Sequence, residues 1–162
     1  MRSLFATLLI AGLTAAPALA SAQSLPISVE GGYMNTTNAG GGSQSAGAVG
    51  VTLHGLGIGL PGTHPQISVL APLSSGGGQY AATAEDTVRL PLGVAVVGAG
   101  VGVGRLGVPA ATFFGTPIKT GALWDVLGGV RVSKNVDLVG RYYDGFDRTT
   151  GQAVFAGLNL HI

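Results

Sequence analysis

The chain has 162 residues with a formal net charge of +1, which fits one domain and offers no basic patch for nucleic acid. It contains no cysteine, which excludes disulfides, thiol catalysis and cysteine-based metal sites. Only 9% of the residues are charged, 46% are hydrophobic and 29 are glycines, so the chain is too apolar for a solvated surface and too glycine-rich for a helical core, which points to lipid.

The first twenty residues have the pattern of a cleaved signal peptide. Arg2 supplies the positive start, residues 4–13 form a short apolar run, and residues 18–20 read Ala-Leu-Ala, a small-x-small cleavage site. The apolar run is shorter than the about 20 residues that a spanning helix needs. We therefore expect residues 1–20 to be removed on export and residues 21–162 to form a single β-barrel domain.

Apolar residues alternate with small or polar ones along the rest of the chain. The last segment is the clearest, with Val154, Leu158 and Leu160 on one face and Asn159 and His161 on the other. This period of two predicts β-strands, because successive side chains of a strand point to opposite faces. The same template predicts eight strands, near residues 26–36, 45–56, 65–72, 79–90, 93–106, 119–133, 136–147 and 151–162.

The alternation allows most charged residues to lie on the same face of the predicted sheet, which we call the inward phase. An Arg or Lys that faces the middle of the hydrocarbon costs about 2–4 kcal/mol, so the charged face should turn inward in a barrel. We predict a lumen charge network of both signs, formed by Glu30, Glu85, Arg89, Asp125, Arg131, Asp137 and Arg141. The alternative is a soluble β-sandwich with this polar face in water and the Val/Leu face in its core.

The predicted connections differ in length between the two ends of the barrel. Short connections, at residues 90–93 and 133–135, fall at the end that holds both termini. Longer connections are predicted at the opposite end, at residues 39–44, 73–78 and 107–118, and residues 57–64 are an exception on the short side. Outer-membrane barrels have short periplasmic turns and longer external loops, so the termini should face the periplasm.

Aromatic residues are scarce, yet most of them map near the predicted outer rim. An aromatic girdle at one membrane interface follows, with Phe113 and Phe114 in the adjoining loop. The predicted girdle residues are Tyr33, Tyr80, Trp124, Tyr142 and Phe146.

Two segments resemble a known family. Residues 128–138 read as a strand, a short turn and a strand, and residues 157–162 read as a terminal strand. Both are similar to the small outer-membrane barrels of the OmpA type. The resemblance implies a closed, antiparallel, up-and-down barrel in a bacterial outer membrane, inserted by the outer-membrane assembly machinery. In that family the terminal strand usually ends in an aromatic residue, whereas this chain ends in Ile162.

No motif of a known active site or metal site stands out. Residues 102–107 fit GxGxxG, but Val108 and Pro109 follow where a dinucleotide site needs a helix. GxSxG and HExxH are absent. His54 and His161 map to inward faces near the periplasmic end, where we expect hydrogen-bonded fillers. With no histidine near the outer rim, we predict no catalytic residue, metal or cofactor, and no enzyme.

The leading functional prediction is an integral outer-membrane protein with a structural role that contacts lipid, the assembly machinery and other envelope proteins. A narrow channel for small solutes is the second hypothesis, because the predicted inward face is rich in glycine, at positions 50, 98, 100, 102, 104, 129 and 157. We favour a filled lumen, with arginine and tyrosine side chains of the opposite wall folded over these glycines. A soluble exported β-domain that binds a partner is the third hypothesis.

Overall fold

The computed structural model describes residues 27–55, 63–74, 78–109, 120–147 and 150–162. Eight strands pair in chain order and the last pairs with the first, so the sheet closes into an antiparallel barrel. They are β1 (Ile27–Thr37), β2 (Ser43–His54), β3 (His64–Pro72), β4 (Gln79–Leu92), β5 (Ala95–Pro109), β6 (Gly121–Ser133), β7 (Val136–Gly145) and β8 (Gln152–His161). The predicted fold class and strand number are confirmed. The predicted signal peptide, residues 1–20, lies outside the described residues.

Burial alternates along the strands as the period of two predicts. In β8, Phe155 and Asn159 are buried, whereas Val154, Leu158 and Leu160 are exposed. No helix among the described residues is long and apolar enough to cross a membrane. Because a closed sheet buries only its inner face, the barrel presents its large apolar side chains on the outside.

Strand boundaries differ from prediction by at most three residues, for local reasons. β5 continues to Pro109 instead of stopping at 106, because it stays paired with Gln79 of β4. β4 continues to Leu92, because a two-residue turn begins at Gly93, whose φ of 69° is the conformation that favours glycine in tight hairpins. β7 ends at Gly145, where the backbone N–H turns to the carbonyl of Gly151.

The barrel has two different ends. The turn end holds Ile27, His161 and the two-residue turns 93–94 and 134–135. The opposite end, called the loop end, holds the connection 38–42, where the Asn38 side-chain oxygen accepts hydrogen bonds from two backbone N–H groups. Most of the predicted connections 57–64 and 107–118, including Phe113 and Phe114, lies outside the part of the chain that the structure describes.

Candidate functional site

The middle of the barrel interior holds five charged side chains, here called the lumen cluster: Glu30, Glu85, Arg89, Asp125 and Arg141. They come from β1, β4, β6 and β7, and their inward phase follows from the alternation of each strand. Three carboxylates face two guanidinium groups. Arg89 and Arg141 each attract Glu30 and Glu85.

Arg141 makes the most extensive set of contacts in the lumen cluster. Its Nη2 atom lies 3.2 Å from Oε1 of Glu30, and the two side chains are 3% and 0% exposed. Its Nη1 donates to the hydroxyl of Tyr143 at 3.1 Å. Thr52 donates to Glu30 at 2.9 Å and lies 2.8 Å from the Ser68 hydroxyl. These bonds tie β7 to β1, β2 and β3, so they brace the barrel from inside.

A second group of bonds joins β3 and β4. Nε2 of Gln66 donates to Glu85 at 2.6 Å, and Nη2 of Arg89 donates to Oε1 of Gln66 at 2.7 Å. Asp125 of β6 is 1% exposed, and its carboxylate packs against Gly100 of β5. A missing side chain on β5 therefore makes room for a buried carboxylate on the neighbouring strand.

The turn end carries a hydrogen-bonded chain of four residues. Nε2 of His161 lies 2.7 Å from Asp137, and Nδ1 of His161 lies 3.4 Å from the hydroxyl of Ser28. The same hydroxyl lies 2.6 Å from Nε2 of His54. The order Asp, His, Ser matches that of a serine hydrolase. Ser28, however, is 0% exposed and hydrogen-bonded to both histidines, so no substrate carbonyl can approach it. These four hydrogen-bonded residues therefore brace the turn end of the barrel.

All seven residues of the predicted lumen charge network share the inward phase, but they form two groups. Five make up the lumen cluster. Arg131 and Asp137 pair with each other at the turn end at 3.4 Å, and the Arg131 side chain is 66% exposed. The rim position explains this exposure, because Arg131 lies two residues from the turn. Three further charged residues, Asp86, Arg105 and Asp144, lie in the outward phase, where no charge was predicted.

Four of the five predicted girdle residues lie on the outward phase toward the loop end. Tyr33 and Phe146 are exposed, and the rings of Trp124 and Tyr142 stack at a tilt with centroids 5.4 Å apart. The assignment of Tyr80 to the girdle was wrong, because this residue is only 9% exposed. Beside Tyr80 the pairing of β4 with β5 shifts, because Leu106 and Gly107 of β5 stand opposite the single residue Ala81 of β4.

The side chains that cover the inward glycines are not the ones that were predicted. The side chains over Gly98, Gly100 and Gly104 come from the adjacent strands β4 and β6, and they include Leu127 and Leu123. Arginines and tyrosines of the opposite wall were expected there. The difference arises because a glycine leaves a gap beside its own strand, and the nearest side chains fill it.

Substitution at one of these glycines should distinguish the crowded inside from the open outside. We expect Gly100→Ala to lower the free energy of unfolding by about 1–3 kcal/mol, because the added Cβ collides with Asp125 and Thr87. Gly31→Ala is the matched control, since nothing lies within 4 Å of its added Cβ. Urea unfolding of both variants in detergent micelles measures the difference. Equal losses would contradict the packing described here.

Sequence reasoning missed the neutral partners of the lumen cluster. Thr52, Ser68, Gln66 and Tyr143 are all buried and hydrogen-bonded to its charged members. The available signal was polar, uncharged residues in the same phase as the charges. Within the described ranges, no group of three or more His, Asp or Glu side chains is arranged to hold a metal ion. At the loop end, the space between Met34, Thr36 and Gln79 admits no water molecule.

The geometry defines a class: a closed eight-stranded barrel, apolar outside and charged inside. The chain matches no protein-family model, and no curated protein matches its sequence. Its structure is similar to that of Neisserial surface protein A, with a TM-score of 0.54 and 12% identity over 85% of this chain and 95% of that one. This likeness shows that the chain has the fold of a small outer-membrane barrel.

Two further solved structures are similar over most of their length. The outer membrane protein OprG from Pseudomonas aeruginosa has a TM-score of 0.48 and 10% identity over 86% of this chain and 96% of that one. Ail of Yersinia pestis, solved with a heparin analogue, has a TM-score of 0.34 and 13% identity over 85% of this chain and 97% of that one.

Proposed function

We propose that the chain is an integral protein of the bacterial outer membrane with a structural role and no catalytic activity. Lipid would cover its outward face, and the outer-membrane assembly machinery would insert it after removal of residues 1–20. We also propose that the chain is related to the small outer-membrane barrels of the OmpA type. The loop end would contact other envelope proteins.

One observation carries the proposal: the distribution of polarity is inverted relative to a water-soluble protein. Glu30, Asp125 and Arg141 are buried inside the barrel, whereas large apolar side chains such as Val101 and Leu158 are more than half exposed outside. Soluble monomers rarely expose contiguous apolar surface of this extent. An apolar outer band around a polar interior is what a barrel needs in hydrocarbon.

The other two hypotheses have less support. A narrow channel needs an open path, and the lumen cluster with its hydrogen-bonded partners occupies the middle of the interior. A soluble β-sandwich would bury the Val/Leu face, yet that face is the exposed one here. The braces across the lumen instead suit a rigid membrane-embedded scaffold.

Cell fractionation tests the proposal directly. We expect the full chain to sediment with outer membranes and to migrate on gels as a faster band before heating than after it, because a closed barrel resists detergent until heated. A variant with residues 1–20 deleted serves as the control and should stay out of the membrane. Recovery of the mature protein as a monomer in the periplasmic fraction, without detergent, would contradict membrane insertion.

A further inference from the structure

The outward face of the barrel has a groove that crosses three neighbouring strands. Its floor is a row of cross-strand partners, Gly128 of β6, Gly140 of β7 and Ala156 of β8. Val130 and Leu138 form the wall toward the turn end. The groove has a volume of about 340 Å³ and is lined by carbon-rich surface. We call it the outer groove.

The next outward row toward the loop end also consists of larger side chains. Tyr142 is the register partner of Val126 on one side and of Val154 on the other. The ring of Tyr142 contacts that of Trp124, which lies farther toward the loop end. The outer groove is therefore a shallow depression that lies between two rows of larger side chains.

Packing does not require the two glycines of the floor. A Cβ at Gly128 would meet nothing within 4 Å, and one at Gly140 would meet only backbone oxygens at 4.0 Å. Neither residue has a positive φ. Inward glycines such as Gly102 differ, since their added Cβ would collide with the neighbouring strand. Because glycine inside a strand weakens it, these two reduce stability and leave an apolar space outside the protein.

Charge at the nearby turn indicates what fills this space. Lys134 lies in the β6–β7 turn, and Arg131 and Asp137 lie in the adjoining strands; Lys134 and Arg131 are exposed, and the three side chains together have a formal net charge of +1. Lys134 lies six residues from Gly128, about 20 Å along a strand. With a strand tilt of about 45°, this is about 14 Å along the membrane normal, close to half the about 30 Å hydrocarbon thickness. The outer groove therefore lies at the depth that the end of an acyl chain anchored at the turn end reaches.

We propose that the outer groove binds the end of an acyl chain of an anionic phospholipid, whose phosphate contacts Arg131 and Lys134. This site rests on the proposed function, because only a membrane-inserted barrel meets a phospholipid in this orientation. A second copy of the chain is the competing occupant, and the experiment below separates the two.

Trp124 provides an internal probe, since it is the only tryptophan of the chain and its ring contacts Tyr142, in the row next to the outer groove. The full chain is inserted into phosphatidylcholine vesicles that contain equal small fractions of chain-brominated phosphatidylglycerol or chain-brominated phosphatidylcholine. We expect the anionic lipid to be enriched about fivefold near Trp124 by the cationic turn, measured as stronger fluorescence quenching. Mass spectrometry of lipid retained after detergent exchange measures the same preference independently.

Matched variants assign the effect to the site. Gly140→Leu fills the groove and should abolish retention of the anionic lipid, whereas Gly31→Leu, at an outward glycine with equally open surroundings, should retain it. The double variant Arg131→Gln, Lys134→Gln should lose the preference for the anionic lipid only. Equal behaviour of the two glycine variants, or a cross-linked dimer that Gly140→Leu abolishes, would overturn the proposal. Because heat-dependent migration reports insertion separately, failure of this site would leave the proposed function standing.

Discussion

Replacement of Arg141 by methionine should lower the free energy of unfolding by about 3–5 kcal/mol. Methionine keeps most of the side-chain length but leaves Glu30 buried, charged and without its ion-pair partner. It also removes the donor to the Tyr143 hydroxyl. Urea unfolding in lipid vesicles, followed by loss of the fast-migrating gel band, measures the change.

Arg131→Met is the matched control for this prediction. The Arg131 side chain is 66% exposed and pairs with Asp137 at the rim, so its loss should cost no more than about 1 kcal/mol. Adding Glu30→Gln to Arg141→Met should recover part of the lost stability, because the uncompensated buried charge is then removed. If Arg141→Met and Arg131→Met cost the same, the lumen cluster does not brace the barrel.

The fold was predictable because the period of two survives in nearly every strand. Phase alone placed residues such as Glu30, Asp125 and Arg141 on one inward face, since a closed barrel has only two faces to choose from. It could not say that Asp137 leaves the main cluster for Arg131 and His161, because that depends on how far each strand extends past its neighbours.

The misplacement of Tyr80 has a different origin. Tyr80 lies beside a register shift in which Leu106 and Gly107 of β5 stand opposite Ala81 alone, and nothing in the residues around position 80 marks it. The partners of the inward glycines were equally hidden, because sequence shows which side chain is missing but not which neighbour fills the gap. Asp125 over Gly100 is set by the register between β5 and β6, which only the paired structure supplies.

The outward face gives the sharpest test of the solvent that surrounds the barrel. Val69→Arg, in the middle of the shortest strand between Val51 and Ala82, should lower the free energy of unfolding in lipid vesicles by about 2–4 kcal/mol. The reason is that the guanidinium group would face hydrocarbon with no carboxylate in the adjacent register positions. Urea unfolding in vesicles compares the variant with the unaltered chain.

Ile162→Arg serves as the control, because Ile162 follows the end of β8 at the turn end, where an arginine can reach the interface and should cost about 0–1 kcal/mol. The contrast between the two sites matters more than either value. In a barrel surrounded by water, position 69, which is 41% exposed, would tolerate arginine as readily as position 162. Equal and small effects at both sites would therefore mean that the Val/Leu face does not meet hydrocarbon, whereas a large loss at Val69 alone is the outcome that only a membrane-inserted barrel explains.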